Sequence, residues 1–343
     1  MGKEGFSVVV EEACGNFSMS GCPPDVFFDK KLGFIYCRLR ERRDKMIQKD
    51  SEVHSKAEEE LALMESILDS RDLTEEDEWI LAENKNVIAE IEHAKVMDLR
   101  QRSRVKWAKE GDENSRFFHS IICCRKACNT IHGLNIGGEW VSKLSLVKKE
   151  VFNFFRSKFV EECGVHPFFS CPSMKNISTF DAEWLEPEFS VGEIKAAVFD
   201  CGDDWAPGSD GFNFRFFKRF WNLFEGDFVA LMTAFFETGF ISPGCGSSFI
   251  ALVPKRKDPE GLSDYRPISL VGVVNKVISK VLANRLKKVL GSVISNSQFA
   301  FLRNRFILDG PLIINEVGLW IKNQKKKDFL FKIDFEKAYD NIN

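Results

Sequence analysis

The spacing of apolar positions changes period several times along the chain, and each change marks a different element. From Phe34 to about Leu68, and again from Glu75 to Lys106, apolar residues such as Leu61, Met64, Ile67 and Leu68 recur every three to four positions among many charges. That spacing predicts two long, exposed helices. Between them, Asp69-Ser-Arg-Asp-Leu-Thr74 is punctuation, with Thr74 and Asp77/Glu78 forming a candidate capping box. Residues 131–141 read as a hairpin turning at Gly137-Gly138, and a Phe-rich helix over about 145–160 follows. Further on come a helix Val191–Phe199, the turn-rich loop Asp203–Gly211, and two packed helices over 212–240 broken near Glu225-Gly226. Two strands, Ser248–Pro254 and Tyr265–Leu270, flank the charged loop Lys255–Asp264. An amphipathic helix over Lys276–Leu290 and another over Pro311–Lys322 precede a last strand, Phe329–Phe335.

That last strand carries the residue with most chemical interest. Phe329, Phe331, Ile333 and Phe335 alternate with Leu330, Lys332 and Asp334, so the apolar set faces a core and Asp334 faces the other side at the strand's end. A carboxylate held there can ligate a hard cation. Taken alone, though, it reads first as the cap of a helix beginning near Glu336, accepting a bond from an orphan backbone N–H. Asp203 and Asp204 are weaker candidates, because they precede a Pro-Gly turn and read as a solvated loop.

Charge sharpens the division of the chain. The net charge of −3 conceals segregation: residues 41–92 hold seven Lys/Arg against seventeen Asp/Glu, whereas residues 249–308 hold eleven against three. From residue 95 a basic stretch including Lys106, Arg116, Arg125 and Lys126 gathers beside Trp107, Phe117, Phe118 and His119, a mixture suited to single-stranded nucleic acid. Ten Cys without a secretory leader imply reduced thiols and a cytoplasmic or nuclear setting. Cys124, Cys128 and His132 have helical zinc spacing, but the second half of such a motif is missing, and buried or incidental thiols are the preferred reading. No apolar run approaches a membrane span. The 33 Phe against 3 Tyr suggest only a core that favours rings without a polar handle.

Five blocks in order carry a resemblance: Pro207-Gly-Ser-Asp-Gly-Phe212, Phe249-Ile-Ala-Leu-Val-Pro-Lys-Arg-Lys-Asp258, Asp264-Tyr-Arg-Pro-Ile-Ser-Leu270, Gln298-Phe-Ala-Phe-Leu-Arg-Asn-Arg-Phe-Ile-Leu-Asp309 and the segment Phe329–Asp340. In this order and spacing they resemble the reverse transcriptase of plant LINE-type (non-LTR) retrotransposons, over about residues 180–343. The stretch Leu99–His119 more loosely resembles the connector that precedes the polymerase. The resemblance implies that Asp334 is the catalytic, metal-holding carboxylate, with the backbone carbonyl of Phe335 as a further ligand and Tyr339 stacked on the nucleotide sugar. It places Arg266, and less firmly Lys255, on the triphosphate of an incoming dNTP. Arg303 and Arg305 become contacts to RNA template or DNA primer, and Lys280 and Arg285 lie on a basic helix face suited to the same backbone. The implied cofactor is Mg²⁺, used in pairs about 3.5–4 Å apart.

The expected fold is α+β: an incomplete right-hand polymerase, fingers and the start of the palm, behind a charged helical connector. Its expected divisions are a poorly structured remnant over 1–30, the connector over 31–130, a hairpin and helix over 131–162, a linker over 163–178, and the reverse transcriptase portion over 179–343. The family's second palm motif, an aromatic-Ala-Asp-Asp turn, occurs nowhere in the 343 residues. The expectation is therefore a fragment inactive by itself, with a non-catalytic nucleic-acid-binding remnant as the alternative.

Overall fold

The computed structural model describes residues 5–103, 115–160, 175–203, 205–302, 304–327 and 329–334. They form two compact units, one of residues 1–167 with 188–281 and the other of 168–187 with 282–343. Among the described residues the structure is mainly helical with two small antiparallel hairpins, so the expected α+β class holds in its coarse form. No described helix is long and apolar enough to cross a membrane.

The first unit is built on rings. Helices α1 (Phe6–Asn16), α2 (Pro24–Leu68), α7 (Val191–Asp200), α8 (Phe214–Arg219) and α9 (Trp221–Thr238) share one core with the first turns of α10 (Val273–Val293). Phe28, Phe216, Phe217, Phe224 and Phe228 are fully buried within it. Phe28 lies 4.9 Å from Phe228, Phe212 lies 4.4 Å from Phe216, and Trp221 stacks on Phe228 at 5.8 Å. Much of the Phe excess is thus a packed cluster of tilted and edge-on pairs, each buried ring contributing about 1.5–3 kcal/mol relative to exposure. One ion pair crosses it: Lys31 Nζ sits 2.6 Å from Asp227 Oδ2, linking α2 to α9.

Two expectations are corrected here. Within the expected poorly structured remnant 1–30, the described residues 5–30 are structured, because α1 buries Val10 and Ala13 in the aromatic core and α2 already starts at Pro24. Tertiary burial overrides the weak local signal of Gly15 and Pro23-Pro24. The break in 212–240 falls at Phe220 (φ −108°, ψ 28°), not at Glu225-Gly226. Gly226 stays helical since Phe224 and Phe228 on either side are fully buried, outweighing the roughly 1 kcal/mol that glycine costs in a helix.

Helices α2 and α3 (Glu75–Ser103) form a helical hairpin, turning at Ser70–Thr74. Thr74 and Asp77 cap α3 reciprocally, Thr74 N donating to Asp77 at 3.0 Å and Asp77 N to Thr74 Oγ1 at 3.3 Å. The Asp77 carboxylate accepts from both Thr74 N and Thr74 Oγ1 and pairs with Arg71, which draws it down to about 2. Helix α4 (Ser115–Asn129) leads to the hairpin β1 (Leu134–Ile136) and β2 (Glu139–Val141), whose turn glycines have φ 63° and 93° as a two-residue hairpin turn requires. Helix α5 is Leu144–Lys158. Strands β3 (Ser248–Pro254) and β4 (Tyr265–Val271) form the second hairpin, as their period-2 pattern predicts.

The second unit contains α6 (Thr179–Leu185), the last turns of α10 and α11 (Asp309–Asn323). Its expected final strand is a further correction. Residues 329–334 have no ladder partner among the described residues, and Phe329, Phe331 and Ile333 are 91%, 78% and 63% exposed. An alternating pattern makes a strand only when a neighbouring strand takes up its backbone hydrogen bonds.

Candidate nucleotide and nucleic-acid site

The β3–β4 hairpin fixes where its charged residues point. Val253 pairs with Arg266 and Pro254 with Tyr265, and Lys255 N extends the ladder by donating to Asp264 O at 2.7 Å. Tyr265 is buried with Leu134 and Val147, so its face of the hairpin is anchored on β1–β2 and α5. Arg266 lies on the opposite, exposed face, and the pleat puts Lys255 diagonal to it on that same face. The intervening loop is held by Asp264, which accepts from Gly261 N at 3.1 Å and Glu260 N at 3.0 Å and pairs with Arg256 at 2.9 Å. The backbone bonds foremost, then Arg256, hold its carboxyl below the ordinary range. Asp264 is therefore engaged away from Arg266, which forms no ion pair among the described residues. Lys255 Nζ donates to Ser263 O at 2.7 Å.

A link that the sequence alone hid ties this hairpin to the aromatic core. Asp210 Oδ2 accepts from Val273 N at 2.5 Å, capping α10, while Oδ1 accepts from Phe212 N at 3.0 Å. Burial pushes its carboxyl pKa up, the two N–H donors opposing. A Cβ on Gly208 would stand 2.2 Å from Val271 O, so only glycine allows this approach. Gly211, at φ +80°, turns the chain beside Tyr36. Within Pro207-Gly-Ser-Asp-Gly-Phe212, Gly208, Asp210 and Gly211 thus each have a structural use, and the block ends in the buried ring of Phe212. A cap 63 positions from its helix leaves no local signature. Asp203 belongs to the same region and bonds Lys218 Nζ at 2.6 Å, which lowers its pKa.

The basic residues separate by environment. Arg285 is not outward: it is 6% exposed and donates to the carbonyls of Leu185 at 2.9 Å and Pro187 at 2.5 Å, closing the C-terminal end of α6. Lys288 lies over Trp184 at 4.2 Å in the same junction. Arg305 donates to Ser295 O at 2.5 Å and Gln298 O at 2.7 Å, folding the segment after α10. Lys280 is half-buried, 3.9 Å from Asp200. Arg116 is exposed on α4. Lys106, Arg303, Phe335 and Tyr339 lie outside the described residues. Asp334 is exposed, in the second unit, whereas Arg266 and Lys255 belong to the first. No group of three or more His, Cys, Asp or Glu suited to a metal occurs among the described residues, so Asp334 is a single carboxylate there and a two-ion set is not assembled by them.

Residues 253–343 match the family described as reverse transcriptase (RNA-dependent DNA polymerase). The match begins inside β3 and takes in Arg266, Arg305 and Asp334, so it is this part of the chain that is similar to that polymerase class. Over 300 residues, 86% of its length, the chain is 24% identical to the "Transposon TX1 uncharacterized 149 kDa protein" of Xenopus laevis, covering 23% of that protein. Over 164 residues, 47% of its length, it is 27% identical to the "Putative 115 kDa protein in type-1 retrotransposable element R1DM" of Drosophila melanogaster, covering 16%. The chain spans less than a quarter of each of these relatives. Both relatives are named as proteins of transposable elements, and the segment 253–343 that matches the reverse transcriptase family lies in the same chain. The two come from a frog and a fly, so the plant branch of the resemblance is not addressed by them.

Proposed function

We propose that this chain contributes fingers and the first part of the palm to an RNA-directed DNA polymerase of a LINE-type element. The observation that carries the reading is the β3–β4 hairpin: within the family segment it presents Arg266, unpaired among the described residues, on the same exposed face as Lys255. A planar guanidinium and a point-charge ammonium on one face suit a triphosphate, the first by bidentate bonds and the second by charge. Asp334 is proposed as one carboxylate for Mg²⁺, beside the backbone of Phe335 and the ring of Tyr339. Template and primer would meet Lys280, Arg116, Lys106, Arg303 and the remaining donors of Arg305. Arg285 is left out of that set, since its guanidinium is buried against carbonyls.

A second reading is a binding protein without catalysis. It is favoured by Asp334 standing without a companion metal carboxylate among the described residues and by the absence of an aromatic-Ala-Asp-Asp turn from the 343 residues. One experiment separates the two. The chain is mixed with a primed RNA template, Mg²⁺ and dNTP, and both dNTP binding and primer extension are followed. Bound dNTP that weakens about tenfold or more in Arg266→Ala, the loss of charged hydrogen bonds worth ~1.5–3 kcal/mol, supports the polymerase reading. Extension by these 343 residues alone is expected to be nil, because the described residues group no second carboxylate with Asp334, and one carboxylate does not hold two cations against water. Affinity for dNTP that ignores Arg266 defeats the proposed nucleotide site.

A further inference from the structure

The α2–α3 hairpin changes sign along its length. Over residues 50–92, its outer part, fifteen Asp/Glu stand against three Lys/Arg. At its base the balance reverses, with six Lys/Arg against two acids over 38–49 of α2 and three against one over 93–103 of α3. The fold brings these two basic runs together, for Arg42 and Arg43 of α2 line the same open groove of about 1500 Å³ as Lys95, Arg100 and Arg102 of α3. On the neighbouring side of α2, Arg38, Arg42, Lys45 and Lys49 line a second groove of about 470 Å³ against α1. Those four positions are spaced i, i+4, i+7 and i+11 and so form one stripe, with a cation at each turn of about 5.4 Å. Arg38, Lys45 and Lys49 are exposed and Arg42 is half-buried.

We infer that this stripe and the groove beside it form a track for the sugar-phosphate backbone of single-stranded RNA, which nothing in the polymerase site requires. The inference rests on the RNA-directed reading above and adds α2 to the surfaces that hold RNA. A regular line of cations matches a regular line of phosphates, and binding by counterion release needs only that match. The acidic outer hairpin repels the same polyanion and confines it to the base. Aliphatic side chains on the groove floor, among them Ile47 and Met97, are exposed enough to lie under unstacked bases.

The test uses the full chain and a labelled oligouridylate, titrated at several salt concentrations. The variant is Arg38→Gln/Arg42→Gln/Lys45→Gln/Lys49→Gln, since glutamine keeps helix propensity, and circular dichroism confirms that α2 persists. The expected result is a tenfold or larger loss of affinity and a log–log salt slope shallower by about 2.8, four contacts at ~0.7 each. If the unaltered chain binds RNA with a steep salt slope and the variant binds equally, the stripe is solvated surface and this inference falls while the RNA-directed reading stands. Failure of the unaltered chain to bind RNA at all removes both. Polyglutamate that displaces the RNA at equal charge, and loses its own binding in the variant, would assign the track to an acidic protein partner and overturn the inference as well.

Discussion

The aromatic core and the segment 309–334 use the same kinds of residue to opposite ends. In the core, Phe28, Phe217, Phe224 and Phe228 each meet other rings and lose all contact with water. In α11 and beyond, Leu312, Ile314, Trp320, Phe329 and Phe331 are half-exposed or more, and α11 buries no residue at all. Hydrophobicity is alike in the two; what differs is whether a facing surface exists among the described residues. An apolar face becomes structure only when a second face removes it from water. The sequence blocks that lie within or against the core are therefore held by packing, and Asp334 sits where no packing is found among the described residues.

That comparison is broken most directly by truncating one ring from each region. Phe228→Ala is expected to destabilise the first unit by about 3–5 kcal/mol, the usual cost of emptying a buried aromatic site. Phe331→Ala is expected to change stability by less than about 0.5 kcal/mol. Denaturant titrations of both variants decide it. Equal losses would mean that 329–334 is packed in solution.

The same contrast explains what was legible in the residues. The β3–β4 hairpin could be read to within a residue because its alternation, its β-branched content and its polar loop agree. Most helix positions and the Thr74–Asp77 box were also legible, being signals local in the chain. Helix α1 was not, since its reason for existing is the core of α2 and α9 that Val10 enters. The expected strand at 329–335 shows the reverse failure: over 329–334 a clear pattern has no partner among the described residues. At the candidate site, Arg266 was legible as an exposed cation, whereas Arg285 was not distinguishable from its neighbours Lys287 and Lys288. Only the structure shows that α6 ends against it.

Arg285 sharpens the distinction between a basic residue that binds and one that builds. Removing its side chain leaves the Leu185 and Pro187 carbonyls short of a donor, so Arg285→Ala is expected to cost the second unit about 1–3 kcal/mol. RNA affinity, measured where the variant remains folded, should stay within twofold of the parent. A salt slope lowered by about 0.7, with stability unchanged, would instead make it a phosphate contact.

The smallest effect is the most diagnostic of the loop that joins the core to the hairpin. Asp210 and Asp264 both accept two backbone N–H groups, yet burial raises the first carboxyl while the second is lowered. For Asp210, the stability contributed by its titration is fully present below the unfolded value of about 3.9 and is lost as pH rises through the raised folded value. For Asp264, the contribution is present above about 3.9 and disappears as pH falls through the depressed folded value. The difference in melting temperature between the parent chain and Asp210→Asn should therefore shrink as pH rises from 3 to 6, and that between the parent and Asp264→Asn should grow. Two differences moving in the same direction would show that Asp210 is not buried at the start of α10, and that Pro207–Phe212 does not hold the hairpin to the core in the way its hydrogen bonds indicate.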